Sequence, residues 1–122
     1  MKTTTLQLLP TTSHGTPSGN YDGSSMSWFS VEQPAADYYG GFGGLQTVAV
    51  FLQGFQGRIT IQATLDSTPD PESGWFDVTI LDSVSEPLTE NRSINIPGNF
   101  VWMRVQVSEF SAGTISKMTV SY

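Results

Sequence analysis

An all-β fold is what this sequence predicts: an antiparallel two-sheet β-sandwich, jelly-roll-like, of about eight strands. Three observations predict it. Apolar residues recur with period two along most of the chain. No window carries them at the helical spacing of i, i+3, i+4 and i+7. Glycine and proline cluster between the alternating runs, at 15–23, 40–44, 54–57, 69–74, 87 and 97–98.

Taken in order, "TTLQLLP" and "SMSWFSV" supply the first two candidate strands. Between them, "PTTSHGTPSGNYDGS" (10–24) is rich in small polar residues, so residues 1–24 are expected to form a flexible N-terminal arm and loop. Residues 25–122 are then one sandwich domain. The stretch "PAADYYGGFGG" (34–44) mixes Tyr38, Tyr39 and Phe42 with glycines and holds no regular pattern, although rings are costly to leave in water. "LQTVAVFLQGF" is apolar on both faces and reads as a central strand covered on both sides.

In "GRITIQATLD", Ile59, Ile61, Ala63 and Leu65 share one face, and Arg58, Thr60, Gln62 and Thr64 the other. "WFDVTIL" is expected to turn Phe76, Val78 and Ile80 inward, and "RSINI" to turn Ile94 and Ile96 inward. "FVWMRVQV" places Val101, Met103, Val105 and Val107 on the core side, leaving Phe100, Trp102, Arg104 and Gln106 outward. "GFQG" and "SEFSAG" read as hairpin turns, "STPDPESG" as a longer polar loop. The last run, "GTISKMTVSY", slips phase between Ile115 and Met118, which predicts a bulge near Ser116 and Lys117.

At 122 residues the chain has the size of one domain and buries enough surface to fold without staples. Cysteine is absent, which removes thiolate catalysis and zinc–thiolate sites. Eleven acids against five bases give a net charge of −6. That charge repels phosphate backbones and anionic lipid, so neither nucleic acid nor membrane is an expected partner. No run of eighteen apolar residues occurs, and the first residues lack the apolar core of a secretory leader.

No enzyme is expected. The only histidine, His14, lies in a loop where a catalytic base could not be held rigidly. Asp66, Asp70, Glu72 and Asp77 cluster in sequence, but three of them fall in or beside a Pro-rich turn, as carboxylates that solvate a loop do. Asp66, Asp70 and Glu72 also offer a weak surface Ca²⁺ site, without the spacing of an EF-hand loop. No cofactor is expected. "GGFGG" lacks the lysine and helix of a phosphate-binding loop.

The aromatic residues remain. Trp28, Trp75 and Trp102, with Tyr21, Tyr38, Tyr39 and Tyr122, could present a sugar-stacking platform, or could pack within the core and at sheet edges. An outward row of Phe100, Trp102 and Arg104 has the composition of a protein interface, and could equally be covered by the chain's own loops.

"GRITIQATLDSTPDPESGWFDV" followed by "NIPGNFVWMRVQVSEFSAGTISKMTVSY" resembles small virion structural proteins of tailed, cyanophage-like bacteriophages over residues 45–122. The shared pattern is Gly-x-Ile-x-Ile-Gln-x-x-Leu, Trp-Phe-x-Val, Gly-Asn-Phe-Val-Trp-x-Arg and a terminal Gly-Thr-Ile-x-Lys-x-x-Val-Ser-Tyr. It also resembles galactose-binding and carbohydrate-binding sandwiches. The first resemblance implies a non-enzymatic particle component, such as capsid decoration, neck, tail or baseplate. Such a component is assembled in the host cytoplasm, as a homo-oligomer packed on other capsid or tail subunits through Trp102, Arg104, Phe100, Tyr38, Tyr39 and Phe42. The alternative is a carbohydrate-binding module reading host surface glycans through Trp75, Tyr38 and Tyr39.

Overall fold

The computed structural model describes residues 4–38, 44–68, 70 and 72–122. Its regular structure is all β, in eight strands: β1 (Thr5–Leu9), β2 (Thr12–Ser13), β3 (Trp28–Phe29), β4 (Gln33–Pro34), β5 (Leu45–Thr64), β6 (Trp75–Asp82), β7 (Leu88–Pro97) and β8 (Trp102–Ser121). β5 and β8 run antiparallel for nearly their whole length, from Thr47 opposite Ser121 to Thr64 opposite Trp102. The shorter strands build two half-sheets on this pair. In the first, β1 and β2 pair with the C-terminal half of β8, and β7 with the N-terminal half of β5. In the second, β3 and β4 pair with the N-terminal half of β8, and β6 with the C-terminal half of β5.

The halves face each other because both long strands bend at one level. Side chains alternate along a strand, so inward residues an odd number apart require an extruded residue between them. Leu52 and Phe55 are both buried, as are Val107 and Phe110, and each pair is three apart. The ladder accordingly skips between Gln53 and Gln56 and again before Arg58. Gly54 (φ 61°), Glu109 (φ 51°) and Gly113 (φ 90°) take the left-handed backbone conformation there. A Cβ on Gly113 would lie 2.2 Å from the Gly54 carbonyl oxygen, so the two bends touch backbone to backbone.

One core fills the space between the layers. Val48, Val50, Leu52, Ile115, Met118 and Val120 come from the first half, and Ile59, Ile61, Met103, Val105 and Val107 from the second. Phe55 and Phe110 stack at the bend, with Tyr21 and Trp28 against Phe110. The layers are tied at their edges, where Gln33 Nε2 donates to the Gln7 carbonyl (2.9 Å) and Tyr122 Oη to the Pro34 carbonyl (2.8 Å).

The all-β sandwich, the inward set of Met103, Val105 and Val107 and the bulge are as the sequence reads, while Val101 lies before β8 and is only half-buried. Lys117 pairs with Phe51 and Ile115 with Leu52, leaving Ser116 extruded. Other expectations are corrected. "GFQG" and "SEFSAG" are bends inside continuous strands, not hairpin turns, since the bulges let each strand cross between layers. "LQTVAVFLQGF" is buried on one face and half-buried on the other. Phe76 and Ile80 are exposed on β6, an edge strand whose phase shifts beside Val78. The segment expected as a flexible arm supplies β1 and β2, and its Leu8, Leu9, Thr12 and Tyr21 are buried. The reading of Tyr39 and Phe42 falls outside the described residues.

Candidate functional site

The two layers present outward faces of different composition. Across the first, Thr5, Ser121, Thr47 and Asn95 stand in one row, and Gln7, Thr119, Ala49 and Ser93 in the next. Thr5 and Ser121 share a hydrogen bond, as do Thr47 and Asn95. These are the small polar and β-branched residues that any solvated sheet face uses.

The second face is built from larger groups. Its rows across the strands are Phe29, Gln106, Thr60 and Ile80; then Arg104, Gln62 and Asp77; then Trp102, Thr64 and Trp75. In the middle row the side chains form a hydrogen-bonded ladder. Arg104 Nε donates to Gln62 Oε1 (2.8 Å), and Gln62 Nε2 donates to Asp77 Oδ1 (2.8 Å). The Arg104 guanidinium carbon lies 4.1 Å from the Phe29 ring centroid and 4.2 Å from that of Trp75. Rings from opposite margins of the layer therefore meet over one cation.

That cover leaves Arg104 only 6% exposed. Burial pushes its guanidinium below the ordinary arginine range, and the charge of Glu32 partly opposes the shift. One Glu32 carboxylate oxygen, Oε2, is buried without a hydrogen-bond partner. Thr60 and Thr64 point outward yet are buried, because the same large side chains roof them. The polypeptide has thus covered a polar sheet face with rings from its own margins.

Both indoles in the outer row are fixed by the loop that joins β5 to β6. Trp75 Nε1 donates to the Asp70 carbonyl (2.7 Å) and Trp102 Nε1 to the Ser67 carbonyl (3.1 Å). Each keeps its apolar body half-buried on the face while its polar atom is satisfied. Tyr38 packs edge-on against Trp102, with centroids 5.0 Å apart. Tyr38 and Phe29 are 46% and 41% exposed, so ring surface faces solvent at both ends of this strip.

Of the residues singled out from sequence, the structure brings together Trp75, Trp102, Arg104 and Tyr38. Arg104 does not stand outward as an exposed anchor, because Phe29 and Trp75 enclose it. Phe100 precedes β8 and packs against the core, so it leaves the expected row. Trp28 and Tyr21 are core residues, with centroids 4.4 Å apart, and Tyr122 packs against the core. His14 is exposed and packs edge-on against Phe110. Among the described residues no three His, Cys, Asp or Glu side chains are grouped to hold a metal ion. Asp70 instead accepts from the Glu72 backbone amide (2.9 Å), and the Asp66 carboxylate would meet a Cβ on Gly74. Sequence reasoning missed Phe29 and the Gln62–Asp77 pair. The alternation of Trp28 inward and Phe29 outward was the available signal for the first.

No family model matches this sequence, and no curated protein sequence matches it. Several solved structures are similar in backbone. One is a family 29 carbohydrate binding module from Piromyces equi, 9% identical, covering 98% of this chain and 91% of that one at a TM-score of 0.49. Another is CpGH89CBM32-4, produced by Clostridium perfringens, in complex with GlcNAc-α-1,4-galactose, at 12% identity, 95% and 91% coverage and a TM-score of 0.43. A third is chitosan-binding module 1 of a chitosanase/glucanase from Paenibacillus sp. IK-5, at 15% identity, 98% and 92% coverage and a TM-score of 0.47.

Proposed function

We propose that this protein is a non-catalytic glycan-binding domain, and that it binds on the outward face of the layer formed by β3, β4, β8, β5 and β6. The observation that supports this reading is the strip from Phe29 over Arg104 to Trp75, continued by Trp102 and Tyr38, beside the Gln62–Asp77 ladder. Sugar rings offer apolar C–H faces for stacking and hydroxyls for hydrogen bonds. A site for them needs fixed ring surface and a few convergent polar groups. Here the rings are held by loop carbonyls and by a shared cation, so little side-chain entropy remains to be lost on binding.

Titration calorimetry against a panel of soluble glycans tests the proposal. One or more glycans are expected to bind, and Trp75→Ala is expected to weaken the best of them at least about tenfold, or about 1.4 kcal/mol. Absence of binding across the panel by the folded protein would refute it.

A second reading is favoured by one feature. Met26, Phe29 and Val31, close in sequence around β3, are all exposed apolar side chains, as at a subunit contact of a phage particle. In that reading Trp102→Ala and Arg104→Ala leave the domain folded and abolish incorporation into particles.

A further inference from the structure

We infer that the glycans taken by this face are uncharged polysaccharides, and that polyanionic ones are excluded. The inference rests on the glycan-binding reading above. An arginine at the centre of a sugar-sized face invites the opposite expectation, because a guanidinium is the usual partner of carboxylate and sulfate. The geometry withdraws it from that role. Arg104 has rings at 4.1 and 4.2 Å, its Nε is committed to Gln62, and it is almost wholly covered.

The other cation that the described residues place on this face is also engaged. Arg58 stands in the same outward series of β5 and contacts Asp82 (3.2 Å) and Glu109 (3.4 Å). The acids around the strip outnumber these bases. Asp77 ends the ladder on the exposed side, Glu32 lies by Arg104, and Asp66, Asp70 and Glu72 belong to the loop that holds both indoles. An anionic sugar would meet these carboxylates, a covered guanidinium at Arg104 and, at Arg58, an exposed one already paired with two acids. A neutral sugar meets ring faces, a carboxylate acceptor at Asp77 and an amide at Gln62.

The strip is also extended. Phe29 shares a row with Thr60, while Trp75 and Trp102 share one with Thr64. The Phe29 and Trp75 rings lean together over Arg104, with centroids no more than about 8 Å apart, and Trp102 with Tyr38 at 5.0 Å continues the ring surface along the layer. Ring surface carried on beyond one such pair suits linked pyranose rings better than a single terminal one.

Affinity electrophoresis of the full chain tests this, with hydroxyethylcellulose and galactomannan as neutral polymers, polygalacturonate and heparan sulfate as anionic ones, and chitosan as a cationic one. Retardation by a neutral polymer is expected, changing less than about twofold between about 0.05 and 0.5 M NaCl, a range over which the screening length falls about threefold. No retardation by the anionic polymers is expected at either salt. Retardation by an anionic polymer, or by chitosan alone with steep loss in salt, overturns the inference and leaves the glycan-binding reading standing. Retardation by none of the five overturns both.

Discussion

Replacing Arg104 by methionine isolates what the buried guanidinium does, because the side chain keeps its unbranched stem and loses only its charged head. Two effects oppose each other. Removing a desolvated charge relieves the cost that already depresses its proton affinity. Against this, two ring contacts near 4 Å disappear, each worth about 0.5–1 kcal/mol and more when desolvated. The hydrogen bond to Gln62 also goes, at about 1.5–3 kcal/mol for a charged donor. Glu32, with one oxygen buried and without a hydrogen-bond partner, then loses the positive charge of Arg104. The losses win, by about 2 kcal/mol net, which for a chain of this size lowers Tm by roughly 8 °C. Near-UV circular dichroism should change in the tryptophan bands, since Trp75 loses the group it stacks on. Calorimetry on Arg104→Met, with Arg104→Lys as a partner variant, reads the result. Lysine keeps the charge without the planar stack and should fall between the two. A methionine variant as stable as the parent, with unchanged tryptophan bands, refutes the view that the guanidinium holds the rings in place.

Three further outcomes follow from other parts of the fold. Gly113→Ala should destabilise by at least about 3 kcal/mol, since its Cβ would enter the Gly54 backbone at 2.2 Å, whereas Gly54→Ala meets open space and should cost only about 1–2 kcal/mol; urea midpoints compare them. Phe110→Ala removes the ring shared by Tyr21, Trp28 and Phe55 and should cost about 3–5 kcal/mol by the same measurement. Asp22 is held at about 2 by backbone amides of Ser24 and Ser25, and Asp82 below its usual range by the Val84 amide and Arg58. A carboxyl depressed in the folded state stabilises above its unfolded value, near 4, and loses that contribution as pH falls through the folded one. The parent should therefore hold its urea midpoint down to about pH 4 and lose it toward pH 2, while the gap between parent and Asp22→Asn closes over the same interval.

What could be read from the sequence was local. Alternation placed Met103, Val105 and Val107 in the core and Trp102 and Arg104 on the other side, and the slip between Ile115 and Met118 located the extruded Ser116. The layer crossing was not readable in the same way. "GFQG" has the glycines that a tight hairpin wants, and a bend with bulges wants the same ones. Which of the two forms is decided by long-range pairing of β5 with β8, which no short window contains. The cover on Arg104 escaped for a similar reason, because Phe29 and Trp75 reach it from strands distant in sequence. Nor did composition show that "TTLQLLP" and Tyr21 belong to the sandwich, since Ser, Thr and Gly suit edge strands and turns as well as loose arms.

The two halves of β8 make a comparison within a single strand. Both bury an aliphatic face in the same core and pair with the same neighbour, β5. On the other side one half carries Lys117, Thr119 and Ser121, and the other Trp102, Arg104 and Gln106. Strand propensity cannot separate them, because threonine serves a pleated surface as well as tryptophan does. Folding needs cannot either, because apart from Lys117 over the Phe51 ring the first half closes its layer with small side chains. The second half instead desolvates a cation and ties two indoles to a loop, a costlier construction than a sheet surface requires. Rings held that way keep one orientation whether or not anything lies on them, which is the property a stacking surface uses and a solvated face does not. If substituting Trp102, Arg104 and Gln106 together by threonine left glycan affinity intact, that construction would have no binding role, and the site would have to be sought elsewhere on the molecule.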